Sequence, residues 1–109
     1  MTVKEVFELR RAGKVEEAYE AILPMYRVHH GKYTTLAMFW CATDKLNLLL
    51  TQVTGDDDTS RQALAEAERS MLSLRRLHSH MTDDGTCRQA LMNMQAALET
   101  TRLRATQEQ

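Results

Sequence analysis

Seven consecutive residues, Leu36-Ala37-Met38-Phe39-Trp40-Cys41-Ala42, are apolar without interruption. Nothing around them alternates polar and apolar residues long enough to read as a strand, so the run belongs to a helix. A helix that is apolar all round must be covered on every side. The run is also far too short to span a bilayer. The chain must therefore surround this helix with other helices, or cover part of it with a second copy of itself. With 109 residues, it has one domain in which to do so. Apolar residues make up 43% of the chain, enough for one modest core. Phe39 and Trp40, beside Met38, are expected to carry the core or a self-contact. Truncating Trp40 to alanine is expected to cost about 3–5 kcal/mol, as for a fully buried large aromatic.

Glycines supply the punctuation. Gly13, Gly31, Gly55 and Gly85 each fall at a break in the apolar pattern, where a flexible or left-handed backbone ends a helix. Three patterns of the capping-box type mark helix starts: Thr2-x-x-Glu5, Thr59-x-x-Gln62 and Thr86-x-x-Gln89. The spacing predicts five helices, near 2–12, 14–29, 32–53, 59–81 and 86–105. Pro24 falls inside the second. Because proline removes a backbone donor and crowds the preceding turn, that helix is expected to kink there or to end near Leu23 and restart.

The last two helices have the clearest periodicity. Leu64, Ala67, Met71, Leu74, His78 and Met81 recur at three- and four-residue steps, as do Cys87, Leu91, Met94, Leu98, Thr101 and Ala105. Such positions form the seam of a left-handed helical pair. The intervening TDDGT is short, so the two are expected to form an antiparallel hairpin. The whole reads as a single all-α domain over residues 1–106, with 107–109 as a fraying tail.

Charge and cysteine usage narrow the function classes. Lys and Arg total 14 against 15 Asp and Glu, a formal net charge of −1. This disfavours a basic nucleic-acid footprint, without excluding a local patch. The first residues show no secretory h-region. Cys41 and Cys87 lie far apart within apolar helical patterns and read as buried thiols. A cytoplasmic protein is the expectation, with no membrane association.

The stretch LRRAGKVEEAYEAI resembles a tetratricopeptide repeat across its inter-helix turn. Leu9 occupies a large-residue position on the first helix, Gly13 the turn, Glu16-Glu17-Ala18 the opening of the second helix, and Ile22 a matching site beyond. The glycine permits the tight turn, and the small Ala18 lets the paired helices approach. The resemblance covers roughly the first 30 residues, and no second copy follows at the period of about 34. A degenerate second unit would use Leu46 and Ala63 with TGDDDTS inserted between them. The resemblance implies a five-helix array of antiparallel hairpins with a long C-terminal helix pair. It also implies a protein-binding role without catalysis, on the concave surface formed by the first helix of each pair. Here that surface would draw on Lys4, Glu8 and Arg11, then on Tyr33, Thr34, Met38 and Lys45.

Other candidate chemistry is weaker. His29-His30 and His78-x-His80 do not share helix faces, and they fit helix C-termini, where positive charge is favoured. No metal site or other cofactor is expected. Asp56-Asp57-Asp58 opens like a calcium loop, but Arg61 and Ala67 stand where that motif needs Gly and Glu. Capping explains the cluster. Arg75-x-x-x-x-His80 resembles the Arg–His signature of the all-helical HEPN ribonucleases. That family implies an acid–base histidine acting on an RNA phosphate across a dimer, although Arg76 replaces the usual short polar residue. Without that reading, Arg69, Arg75 and Arg76 form a solvated basic face. Most of the seven methionines read as core, with an adaptable groove beside Met38 or Met92 as the alternative. The expectation is a non-enzymatic adaptor or scaffold module binding a protein or peptide, with a homodimer as one form of that. The runners-up are a HEPN-like ribonuclease using Arg75 and His80, and a nucleic-acid-associated accessory subunit.

Overall fold

A computed structural model describes residues 1–82 and 85–107. Among them are five helices and no strand: α1 (Val3–Arg11), α2 (Val15–Val28), α3 (Lys32–Thr51), α4 (Asp58–Ser79) and α5 (Thr86–Gln107). The helix bounds match the periodicity to within two residues. Of the expected tail, Gln107 belongs to α5, and 108–109 lie outside the described residues, as do Asp83 and Asp84 of the TDDGT connection.

The first turn forms as the sequence dictates. At the start of α1 the Thr2 hydroxyl accepts from the Glu5 N–H at 3.2 Å, and the Glu5 carboxylate accepts from the Thr2 N–H at 3.1 Å. This is a complete capping box. At its end Gly13 takes φ +78°. Lys14 N–H then donates to the Leu9 carbonyl and Gly13 N–H to that of Arg10, both at 3.0 Å. These are the two bonds of a Schellman turn, which any residue with a Cβ would strain. The turn brings α2 back against α1, where Val6, Ala18 and Ile22 are buried.

Pro24 does not break α2, which runs unbroken to Val28. Ile22, Leu23, Met25 and Tyr26 on either side of the proline all pack on the core. Pro24 and Glu20, whose carbonyl loses its bond, are both exposed. Water can solvate that carbonyl, and flanking burial holds the helix together.

Helix α3 is the hub. Among the described residues it alone packs against each of the other four helices, and α2 and α4 meet only through it. Ala37, Met38, Phe39 and Cys41 are buried and Leu36, Trp40 and Ala42 half-buried, so the other helices cover four of the seven fully and three in part. Phe39 is fully enclosed. Trp40 meets it edge-on at 5.2 Å and lies beneath the Arg10 guanidinium at 5.1 Å. Arg10 in turn bonds Asp44 through Nε at 2.6 Å, tying α1 to α3.

The start of α4 differs from expectation. The cap is Asp57, whose carboxylate accepts from the Ser60 N–H at 2.8 Å, and Thr59 lies inside the helix. The buried Ser60 hydroxyl accepts from the Thr54 and Gly55 N–H groups at 3.0 and 3.2 Å, drawing the loop onto the helix start. That pin selects Asp57 over Thr59. Helix α5 likewise begins at Thr86, one residue earlier than a Thr86 cap requires. The Gly85 carbonyl accepts from Gln89 N–H, and the Gln89 side chain donates to Asn93. Of the two seams, Ala67, Met71, Leu74, Cys87, Leu98 and Thr101 are buried and the remainder half-buried. Ala63 and Leu77 are buried as well.

Candidate functional site

Because α2 and α4 both rest on α3 with no close backbone approach to each other, they leave a groove of about 510 Å³ between them. Its floor is aliphatic: Leu23, Met38, Ala42, Leu74 and Leu77. Tyr19 and Tyr26 line the α2 side. Each is held by a second contact, Tyr19 by the Lys45 ammonium at 4.5 Å from its ring and Tyr26 by stacking on His30 at 4.3 Å. The α4 side presents Glu66, Arg69, Ser70, Ser73, Arg76 and His80, a stripe at helical spacing.

The groove is electropositive. Arg27, Lys45, Arg69 and Arg76 line it against the single carboxylate of Glu66. The ion pairs among the described residues lie elsewhere: Arg10 with Asp44, Arg61 with Asp56 and Asp58, and Arg102 with Glu68 and Glu99. The groove's arginines engage no carboxylate within the described chain.

The expected surface residues are dispersed. Met38 and Lys45 line the groove. Lys4, Glu8 and Arg11 are exposed on α1 and lie outside it, Arg11 bordering a smaller hollow at the Arg10–Asp44 bridge. Tyr33 is exposed next to the Lys32 ammonium, whereas Thr34 is buried. Phe39 belongs to the core, and Trp40 sits under Arg10. Met92 is exposed on α5, away from the groove. His80 lines the end of the groove; Arg75 is exposed and does not line it. Five residues along a helix turn through about 140°, which separates the two side chains.

Several groove residues escaped sequence reasoning. Tyr19 and Tyr26 carry no distinguishing pattern, and Arg69 and Arg76 read as a solvated face. The available signal was the spacing of Arg69, Ser73, Arg76 and His80 alongside Leu74 and Leu77, a polar stripe bordering a buried one.

Cys41 is a poor nucleophile. Burial pushes the Cys41 thiol up to about 11, and Asp44 adds to this against an opposing effect of Arg10. Cys87 is also buried. Among the described residues no three His, Cys, Asp or Glu side chains converge into a set able to hold a metal ion, and no helix is long and apolar enough to cross a membrane. What the groove offers is cationic, aromatic and aliphatic contact. No protein-family model, curated protein or solved structure matches the chain.

Proposed function

We propose that the chain is a non-enzymatic interaction module that holds a segment of a partner protein in the α2–α4 groove. The observation that carries this reading is the groove itself, an aliphatic floor between aromatic and cationic walls. Its volume lies within the range of about 300–1,000 Å³ typical of concave ligand sites. The accompanying architecture is an array of antiparallel hairpins similar to tetratricopeptide repeats, α1 with α2 and α3 with α4, with α5 closing the end. Three contacts support it: the Schellman turn at Gly13, Arg102 of α5 bridging to Glu68 of α4, and Arg104 donating to the Val53 carbonyl. The last two link the later part of α5 to the middle of α4 and to the loop before it, which supports an antiparallel pairing. The groove's walls are the second helices of the pairs, unlike the surface that family uses. Cytoplasmic residence goes with this reading, supported by two cysteines buried as small apolar side chains.

The test is selection of a displayed library of random peptides, about 14 residues long to match the groove, on the full chain. Binders are then compared on Ser73→Trp, an exposed groove position where the indole fills the space and the fold is checked by circular dichroism. Binders that lose affinity on Ser73→Trp are expected. No binder, or binding indifferent to that substitution, overturns the reading. The ribonuclease alternative needs Arg75 beside His80, and Arg75 is outside the groove. RNA cleavage abolished by His80→Ala would replace the binding reading.

A further inference from the structure

Resting on that reading, we infer that the groove's occupant is a short acidic segment carrying apolar anchors. The first argument is charge. The chain as a whole is −1, yet the groove gathers four cations against one carboxylate. Taking these from the chain's 14 basic and 15 acidic residues leaves ten against fourteen, so everything outside the groove is net negative. The groove thus carries a local net charge of +3 on a chain that sums to −4 elsewhere.

Helix ends account for part of this. Arg27 and Arg76 stand in the last turns of α2 and α4, where the negative end of the helix favours a cation regardless of any ligand. Lys45 and Arg69 stand well inside their helices and gain nothing from helix ends. Glu66 lies three residues before Arg69 on the same face without bridging to it. Elsewhere in the described chain, Arg10, Arg61 and Arg102 have found carboxylates. Each groove arginine is therefore available to an incoming one, and charge-assisted pairs of this kind are the strong hydrogen bonds of interfaces.

The second argument is shape. Along α4 the lining runs from Glu66 to His80, fourteen residue steps, or about 21 Å at 1.5 Å each. A trough of that length suits a peptide better than a compact small molecule. Its aliphatic floor needs apolar side chains to displace water, and the cations along its walls need carboxylates beside those anchors. A long polyanion such as RNA would reward the same cations, but the residues outside the groove sum to a negative charge.

The library binders decide the matter. Acidic residues interspersed with Leu, Ile, Phe or Trp are expected among them. The double variant Arg69→Glu/Arg76→Glu changes only exposed positions, and its fold is checked by circular dichroism. It should weaken fluorescein-labelled binders by at least about tenfold, with wild-type affinity falling as salt rises past about 0.1 M, where surface charges become screened. Neutral or basic binders that Ser73→Trp still blocks would overturn the acidic class and leave the groove reading standing. Absence of any groove-dependent binder would overturn both. An oligouridylate of about 12 nucleotides that binds more tightly than the selected peptides, and is lost in the double variant, would overturn the peptide in favour of nucleic acid.

Discussion

Neighbouring residues on a helix point about 100° apart, and Phe39 and Trp40 show what that does to energetics. Both belong to the apolar run, but Phe39 is sealed and Trp40 is only half-buried beneath Arg10. Phe39→Ala should therefore cost the full range of about 3–5 kcal/mol, and Trp40→Ala less. Urea unfolding of the two variants checks the order, and equal costs would contradict the burial difference. Cys41 gives a second residue-scale prediction. Its thiol is raised to about 11 from an ordinary 9.0, so the folded state disfavours the thiolate. As pH rises past the ordinary value the unfolded chain ionises first, and stability falls between about 9 and 11. Iodoacetamide at neutral pH should label Cys41 only under unfolding conditions, as mass spectrometry of the protein with and without urea would show.

Elements begin and end where local chemistry allows, and α4 shows how a choice is made among candidates. Asp56, Asp57, Asp58 and Thr59 are all competent caps, and sequence alone favoured Thr59 through its partner Gln62. The buried Ser60 hydroxyl, bound to two N–H groups of the preceding loop, selects Asp57. Asp57→Ala should therefore lower the urea midpoint more than Thr59→Ala. Hydrogen bonding from Ser60, by hydroxyl and then by backbone N–H, holds the Asp57 carboxyl below its ordinary value, with Arg61 assisting. The Asp57 contribution is thus present above the ordinary carboxylate pKa and disappears as pH falls through the lowered one. The gap between wild type and Asp57→Ala should narrow in acid. Pro24 supplies the opposite case, a local breaker overridden by burial on both sides. Pro24→Ala restores one helical hydrogen bond and should raise stability, by up to about 3 kcal/mol, the cost of proline in a helix interior. A lower melting temperature in that variant would mean that the proline supports the α2 geometry. Thr2 and Gly13 were legible because the bonds they make are local; the α4 start and the continuity of α2 were not, because tertiary packing decided them.

At the scale of the whole molecule, the apolar run of α3 was the most informative stretch of sequence, since it required a central helix whatever the remainder did. Its four packing partners make the fold depend on one element. Loss of α3 would remove support from all the others, so unfolding should be a single cooperative transition. Tryptophan fluorescence and far-ultraviolet circular dichroism should give the same urea midpoint, whereas separated midpoints would indicate that one flank survives alone. The groove was much less legible, because its lining comes from three helices. Arg69 and Arg76 look like any solvated face until α2 is set opposite them.

That arrangement behaves as a calliper. The jaws, α2 and α4, stay apart at the backbone, and their opening is set by the thickness of the bar between them. A bulkier side chain at Ala42, which touches the groove from α3, would part the jaws or raise the floor without altering a single charged residue. Partner choice in such a protein can drift through the volume of one buttressing position while the residues that grip the partner stay the same.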